Sequence, residues 1–185
     1  RFTREGMKQL IGLNRPAAIE KFPQLFPGCP ESGEACLQRY RAWMDDYIRE
    51  NGVPVKPGLR ELLAWLKQAH ILCAVATSTF TNVAIGYLKN AGVLNCFAAI
   101  VGGDQVTKSK PDPEIFQLAM RALGKQTPET CVVFEDSRNG LLAGANGGFP
   151  VIVVPDLFDP TLELQGLCYA KCARLDEAID VIQNF

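Results

Sequence analysis

The stretch VVFEDSRNG, residues 132–140, decides how the rest of the chain is read. Val132, Val133 and Phe134 form an apolar run that ends in two adjacent carboxylates, Glu135 and Asp136. Ser137 and Gly140 follow in a small polar turn. A short apolar run closed by turn residues reads as a buried strand. Two negative charges side by side at its end are costly unless something positive faces them.

The neighbouring segments place this strand in a repeating pattern. PGLRELLAWLKQA (57–69) carries Leu59, Leu62, Leu63 and Leu66 at helical spacing, and ILCAVAT (71–77) is a strand-like run. NVAIGYLKNAG (82–92) reads as a helix that stops at Gly92, and FAAIVGG (97–103) as a second strand. PEIFQLAMRALG (113–124) opens with Pro and closes with Gly, the usual asymmetry of a helix. CVVFE (131–135) and PVIVVP (150–155) are a third and a fourth strand. A weak fifth, CYAKC (168–172), leads into a terminal helix. Apolar strands alternating with helices predict an α/β fold, a three-layer Rossmann-like core with a parallel sheet buried on both faces.

The first part of the chain lacks strands. Residues 1–53 show helical patterning only, in TREGMKQLIGL, RPAAIEKF and ESGEACLQRYRAWMDDYIREN, with FPGCPESG (26–33) as a Pro- and Gly-rich turn. Tyr40, Trp43, Met44, Tyr47 and Ile48 form a stripe at helical spacing, read here as a packing face. The division is therefore a helical module, 1–53, followed by an α/β core, 54–185.

Bulk composition excludes several classes. The 185 residues are 48% hydrophobic and 21% charged, as in an ordinary folded enzyme. A formal net charge of -1 advertises no basic face for nucleic acid or an anionic membrane. No apolar run approaches the ~20 residues of a membrane span, and RFTREGMKQL has no apolar signal core. Seven cysteines without a paired spacing read as reduced, mostly buried thiols of a cytoplasmic protein. The single histidine, His70, is read as structural; one histidine is too little for a zinc or Ser-His site. Oligomeric state is left open.

Ligands of open parallel sheets bind beyond the carboxyl ends of the strands. Thr77, Ser78 and Thr79 lie at one such end, Lys108 and Lys110 follow another, and Glu135, Asp136 and Ser137 close a third. Hydroxyls and backbone N–H groups at a strand–helix turn suit an anion. A lysine suits phosphoryl oxygens, and paired carboxylates suit Mg²⁺, which commonly takes one or two of them plus waters and phosphate oxygens. Taken singly, the acid pair, the Lys-Pro and the Thr-Ser are each also explained as a helix cap or a loop. Their joint order at successive strand ends favours a phosphate-handling site. GLLAGANGG (140–148) lacks G-x-G-x-x-G and is not a dinucleotide loop.

AVATST (74–79), KSKPDPEIF (108–116) and VVFEDSRNG (132–140), in this order, resemble motifs two, three and four of the haloacid dehalogenase superfamily. The helical-cap branch, with β-phosphoglucomutase and sugar-phosphate phosphatases, is the nearest likeness, and it covers essentially the whole chain. The resemblance implies that Thr77 binds phosphate through its hydroxyl and Ser78 through its backbone. It implies that Lys110 stabilises the nucleophile and the transferring phosphoryl group. Asp136 would be the main Mg²⁺ ligand, with Glu135 assisting. GLNRPAAI (12–19) is similar to a cap segment whose arginine reaches the substrate, which makes Arg15 a candidate contact; a surface arginine opening a helix is the other reading. Lys108 is off the motif and read as surface, and Asp104 and Asp112 as loop residues. The implied activity is phosphatase or phosphomutase chemistry on a small phosphorylated metabolite, a sugar phosphate, through an aspartyl phosphate.

The superfamily's first motif, a strand ending in Asp-x-Asp, has no counterpart here. Its first Asp is the nucleophile and its second the general acid. Asp45 and Asp46 fall mid-helix, and Asp156 and Asp159 are spaced D-x-x-D after the fourth strand, so neither pair is assigned. In the superfamily that strand lies between those carrying motifs two and four. The chain, which opens on Arg1, is thus expected to be a piece of a longer protein, inactive alone and poorly stable or associated through open sheet edges. Two other readings stand beside this one. The first is a phosphate- or metal-binding domain that never held the nucleophile. The second, a receiver domain, places its acids first and its lysine last, the reverse of this chain.

Overall fold

The structure, a computed structural model, describes residues 3–185. Three helices come first: α1 (Arg4–Leu10), α2 (Arg15–Leu25) and α3 (Gly33–Asn51). Each begins where a side chain accepts from an orphan N–H, with Thr3, Asn14 and Ser32 as the caps. They bury Leu10, Ala18, Phe22 and Phe26 in a cluster of their own, against Leu13, Leu25, Cys29, Cys36 and Leu37.

From α4 (Leu59–Gln68) the chain alternates. The order is β1 (Ala74–Ala76), α5 (Thr81–Asn90), β2 (Ala99–Val101), α6 (Glu114–Ala122), β3 (Val133–Glu135), α7 (Arg138–Asn146), β4 (Val151–Val153), α8 (Leu162–Gln165), β5 (Ala170–Lys171) and α9 (Ala178–Gln183). Every strand pairing is parallel. The one-turn α8, with Leu162 exposed, has no counterpart in the sequence reading. The regular strands are two or three residues long, cores of the longer apolar runs.

Helices cover both sheet faces. On one side Ile115, Phe116, Ala119 and Met120 of α6 and Leu141 and Ala143 of α7 pack on Val101, Val133, Val151 and Val153. On the other, Leu62 and Leu66 of α4 and Ala178 of α9 pack on Ile152 and Val154. The alternation along β4 therefore sends successive side chains to opposite layers. This is the expected three-layer α/β core with a helical module beside it.

The sheet is divided. β1 pairs with β2, and β3 with β4 and β5, but β1 and β3 are not joined. Both parts share the same helix layers: Ala74 and Ala76 pack against the first cluster and Cys73 against the second, as do Val133 and Phe134 respectively. Among the described residues, β1 and β3 are thus facing edge strands across a gap in an otherwise continuous sandwich.

Two expectations are corrected. The aromatic stripe is not packed on a core: Tyr40, Trp43 and Tyr47 are 54%, 60% and 41% exposed. The rings meet one another, with Trp43 stacked on Tyr47 at 5.7 Å, because only the first turns of α3 reach the helical cluster. The cysteines are all free but not mostly buried; Cys172 alone is buried and Cys96 is exposed. Among the described residues no helix is long and apolar enough to cross a membrane.

Candidate functional site

A cavity of about 450 Å³ opens where the carboxyl ends of β1 and β3 face each other. Thr77 and Ser78 follow β1, Lys110 comes from the β2–α6 loop, and Glu135, Asp136 and Ser137 follow β3. Seven of the residues singled out from sequence, Thr77, Ser78, Thr79, Lys110, Glu135, Asp136 and Ser137, line this one space.

Lys110 spans the gap between the two parts of the sheet. It is 5% exposed; its Nζ donates to the Ala76 carbonyl at 3.3 Å and is ion-paired with Oε1 of Glu135, itself 8% exposed. The ammonium also lies 4.5 Å from the centre of the Phe116 ring. The other Glu135 oxygen accepts from Ser137 Oγ at 3.0 Å, and Ser137 Oγ accepts in turn from the Gly140 N–H. Ser137, not Asp136, is therefore the cap of α7, which leaves the Asp136 carboxylate to the cavity. A Cβ on Gly140 would collide with the Glu135 carboxylate, so glycine is needed there for close approach.

Asp136 differs from Glu135. It keeps 41% of its side chain exposed, and Lys56 Nζ stands 3.5 Å away. Burial, then the neighbouring Glu135 charge, push its carboxyl above the ordinary value, and Lys56 opposes that rise. Asp156, unassigned from sequence, is drawn to the same place, 3.6 Å from Lys56, whereas Asp159 pairs with Lys171 elsewhere. Asp45 and Asp46 pair with arginines on the surface of α3.

The described residues form no group of three or more His, Cys, Asp or Glu suited to a metal ion. A cation here would take one or two carboxylates and complete its shell with water and phosphate oxygens. That is the habit of Mg²⁺, and the donor set fits it. Of the two carboxylates Asp136 is the one left open to the cavity; Glu135 has both oxygens engaged.

The loop between α1 and α2 closes the cavity from above. Ser78 Oγ donates to the Gly12 carbonyl at 2.6 Å, Asn139 Nδ2 donates to the Ile11 carbonyl at 2.9 Å, and the Asn14 N–H donates to Ser109 Oγ at 2.8 Å. Gly12 has φ 83°, and a Cβ there would meet Ser137 Oγ at 2.7 Å. Sequence reading placed Ser137 at the third strand end but missed Lys56, Ser109 and Asn139 as parts of this site. Only the position of Asn139 close to the acid pair gave any signal of it.

Other candidates fall outside. Arg15 pairs with Glu34 at 2.7 Å and lines a separate cavity of about 740 Å³ among α1, α2, α3 and the 78–80 loop. Ser78 lines both cavities. Lys108 is exposed beside Asp112. Asp104 and Asp112 do more than fill loops: Asp104 accepts from the Thr81 N–H at 2.6 Å, and Asp112 from the Glu114 N–H at 3.0 Å, so they hold the starts of α5 and α6. His70 sits in an exposed turn after α4 with φ 56°.

A family model described as haloacid dehalogenase-like hydrolase matches residues 2–148. The chain belongs to that family. It is similar to a phosphorylated carbohydrates phosphatase of Thermotoga maritima, 42% identical over 141 residues, covering 75% of this chain and 62% of that protein. It is also similar to protein CbbY of Cereibacter sphaeroides, 38% identical over 122 residues, 64% of this chain and 53% of that one. The chain thus spans less than two thirds of each of these relatives. The solved structure of CbbY from Rhodobacter sphaeroides in complex with phosphate aligns with a TM-score of 0.79 at 28% identity, over 96% of this chain and 80% of that one. A β-phosphoglucomutase from Clostridium difficile shares the fold at a TM-score of 0.79 and 19% identity.

Proposed function

We propose that this haloacid dehalogenase-like chain serves Mg²⁺-dependent phosphoryl transfer, as a phosphatase or phosphomutase acting on a small phosphorylated carbohydrate. The observation that carries the reading is the meeting of Thr77, Ser78, Lys110, Glu135 and Asp136 around one cavity between β1 and β3. A relative named as a phosphorylated carbohydrates phosphatase supports the substrate class.

In this reading Thr77 and the Ser78 backbone hold phosphoryl oxygens, and Lys110 offsets negative charge developing on them. Asp136 would hold Mg²⁺, with Glu135 assisting, and the ion would supply charge neutralisation for the phosphoryl group. The nucleophile would be an aspartate on a further parallel strand, outside residues 3–185, that fills the gap between β1 and β3 and pairs both edges. Residues 1–53 would act as a cap over the core of 54–185. The strap of Gly12 to Ser78 and Ile11 to Asn139 would be its closed contact, and Arg15 would meet the substrate only from the neighbouring cavity that Ser78 shares, on leaving Glu34.

The test is Mg²⁺-dependent phosphate release from a panel of sugar phosphates, comparing this chain with one extended by a strand ending in Asp-x-Asp. Turnover by the extended chain alone is expected. Turnover by neither favours a phosphate- or metal-binding domain, and turnover by the 185-residue chain would refute the missing nucleophile.

A further inference from the structure

Lys56 has no part in that scheme, yet it lies at its centre. It belongs to the segment 52–58 that joins α3 to α4, and it lines the same cavity as Thr77 and Lys110. Its ammonium stands 3.5 Å from an Asp136 oxygen and 3.6 Å from an Asp156 oxygen, between two carboxylates that follow neighbouring strands. Asp136 and Asp156 keep 41% and 65% of their side chains exposed. Pairs that open and that long contribute little to stability, so fastening the linker does not account for them. What the geometry provides is a single positive charge at the carboxylate that opens on the cavity.

We propose that Lys56 is a built-in competitor for the divalent cation of this site, a role that rests on Asp136 being its ligand. With no cation bound, the ammonium bridges Asp136 and Asp156. A divalent cation on Asp136 carries twice the charge and coordinates the oxygen directly. Two cations within about 4 Å repel, so the lysine must leave. Lys56 therefore sets the cation concentration at which the site fills. Its departure passes that event to the segment connecting the helical module with the α/β core. Lys56 is a positioning residue; nothing in this role needs it to touch the substrate.

The experiment titrates the full 185-residue chain with Mn²⁺, reading free ion by electron paramagnetic resonance, with Mg²⁺ as competitor. Lys56→Met is expected to bind Mn²⁺ about tenfold tighter, the size of a like charge removed at this distance in a partly solvated site. Lys108→Met, which removes an exposed lysine paired with Asp112, is expected to leave affinity unchanged. Hydrogen exchange in residues 52–58 of the parent should rise when Mn²⁺ binds. Unchanged or weaker binding by Lys56→Met, with binding abolished by Asp136→Asn, would overturn the competitor role and leave the cation site standing. Mn²⁺ binding by none of these chains would overturn the cation reading and the proposal with it.

Discussion

β4 and β1 are both wholly apolar three-residue strands, Val-Ile-Val and Ala-Val-Ala, in very different surroundings. Val151, Ile152 and Val153 of β4 are wholly buried, with strands on both sides and helices on both faces. Ala74, Val75 and Ala76 of β1 are each only half-buried, because β1 has a partner on one side. The difference teaches that a parallel strand owes its burial to lateral neighbours as much as to its helices. The open side of β1 and the open side of β3 are also where Thr77, Lys110, Glu135 and Asp136 gather. In this molecule the least complete part of the core is the candidate site.

The comparison breaks hardest at Lys110, the side chain that reaches across the gap. Lys110→Ala leaves Glu135 buried without its cation, and the expected loss of stability is about 3–5 kcal/mol, read as a drop in the urea midpoint. A near-normal midpoint would show that the two parts of the sheet do not depend on this bridge. Next, Ile152→Ala in β4 should cost about 2–5 kcal/mol, and Val75→Ala in β1 clearly less in the same melts. Equal losses would erase the contrast between the strands. Gly140→Ala comes third. Its new methyl must displace the Glu135 carboxylate, at about 1–3 kcal/mol, and the displacement should appear as a shifted Lys110 ammonium signal by NMR.

The smallest effect concerns Asp136. Its carboxyl is raised above the ordinary 3.8 by burial and by Glu135. A raised folded-state value means the folded chain holds that proton more tightly than the unfolded one. Asp136 therefore subtracts from stability as pH climbs through and above that ordinary value. In the cation-free chain, Asp136→Asn should melt progressively higher than the parent as pH rises from about 4 to 7. A constant difference across that range would contradict it. With so much of Asp136 exposed, the gain is expected to be slight.

Most of the fold could be read before any coordinates. The spacing of Leu62, Leu63 and Leu66 and of Ile115, Phe116, Ala119 and Met120 placed α4 and α6, since a helix packed on a sheet must repeat its apolar side every turn. The strand ends likewise marked Thr77, Lys110, Glu135 and Asp136, because charge at the end of an apolar run is rare without a use. The stripe from Tyr40 to Ile48 was misread for a reason periodicity cannot supply: it shows that a helix has an apolar side, not that anything covers it. Lys56 was invisible for a related reason. It reaches the cavity from a linker that meets the strand ends only in space, and no local pattern encodes such a meeting.

The sequence by itself determined the alternation of strands and helices, the parallel sense of the sheet and the residue types at its carboxyl edge, because these follow from short-range periodicity and local chemistry. Only the tertiary structure decided that the sheet divides between β1 and β3, that Lys110 spans the gap, that Ser137 caps α7 and leaves Asp136 open, and that Lys56 stands between two carboxylates. Those are matters of which distant residues share a few ångströms, and that is settled by packing.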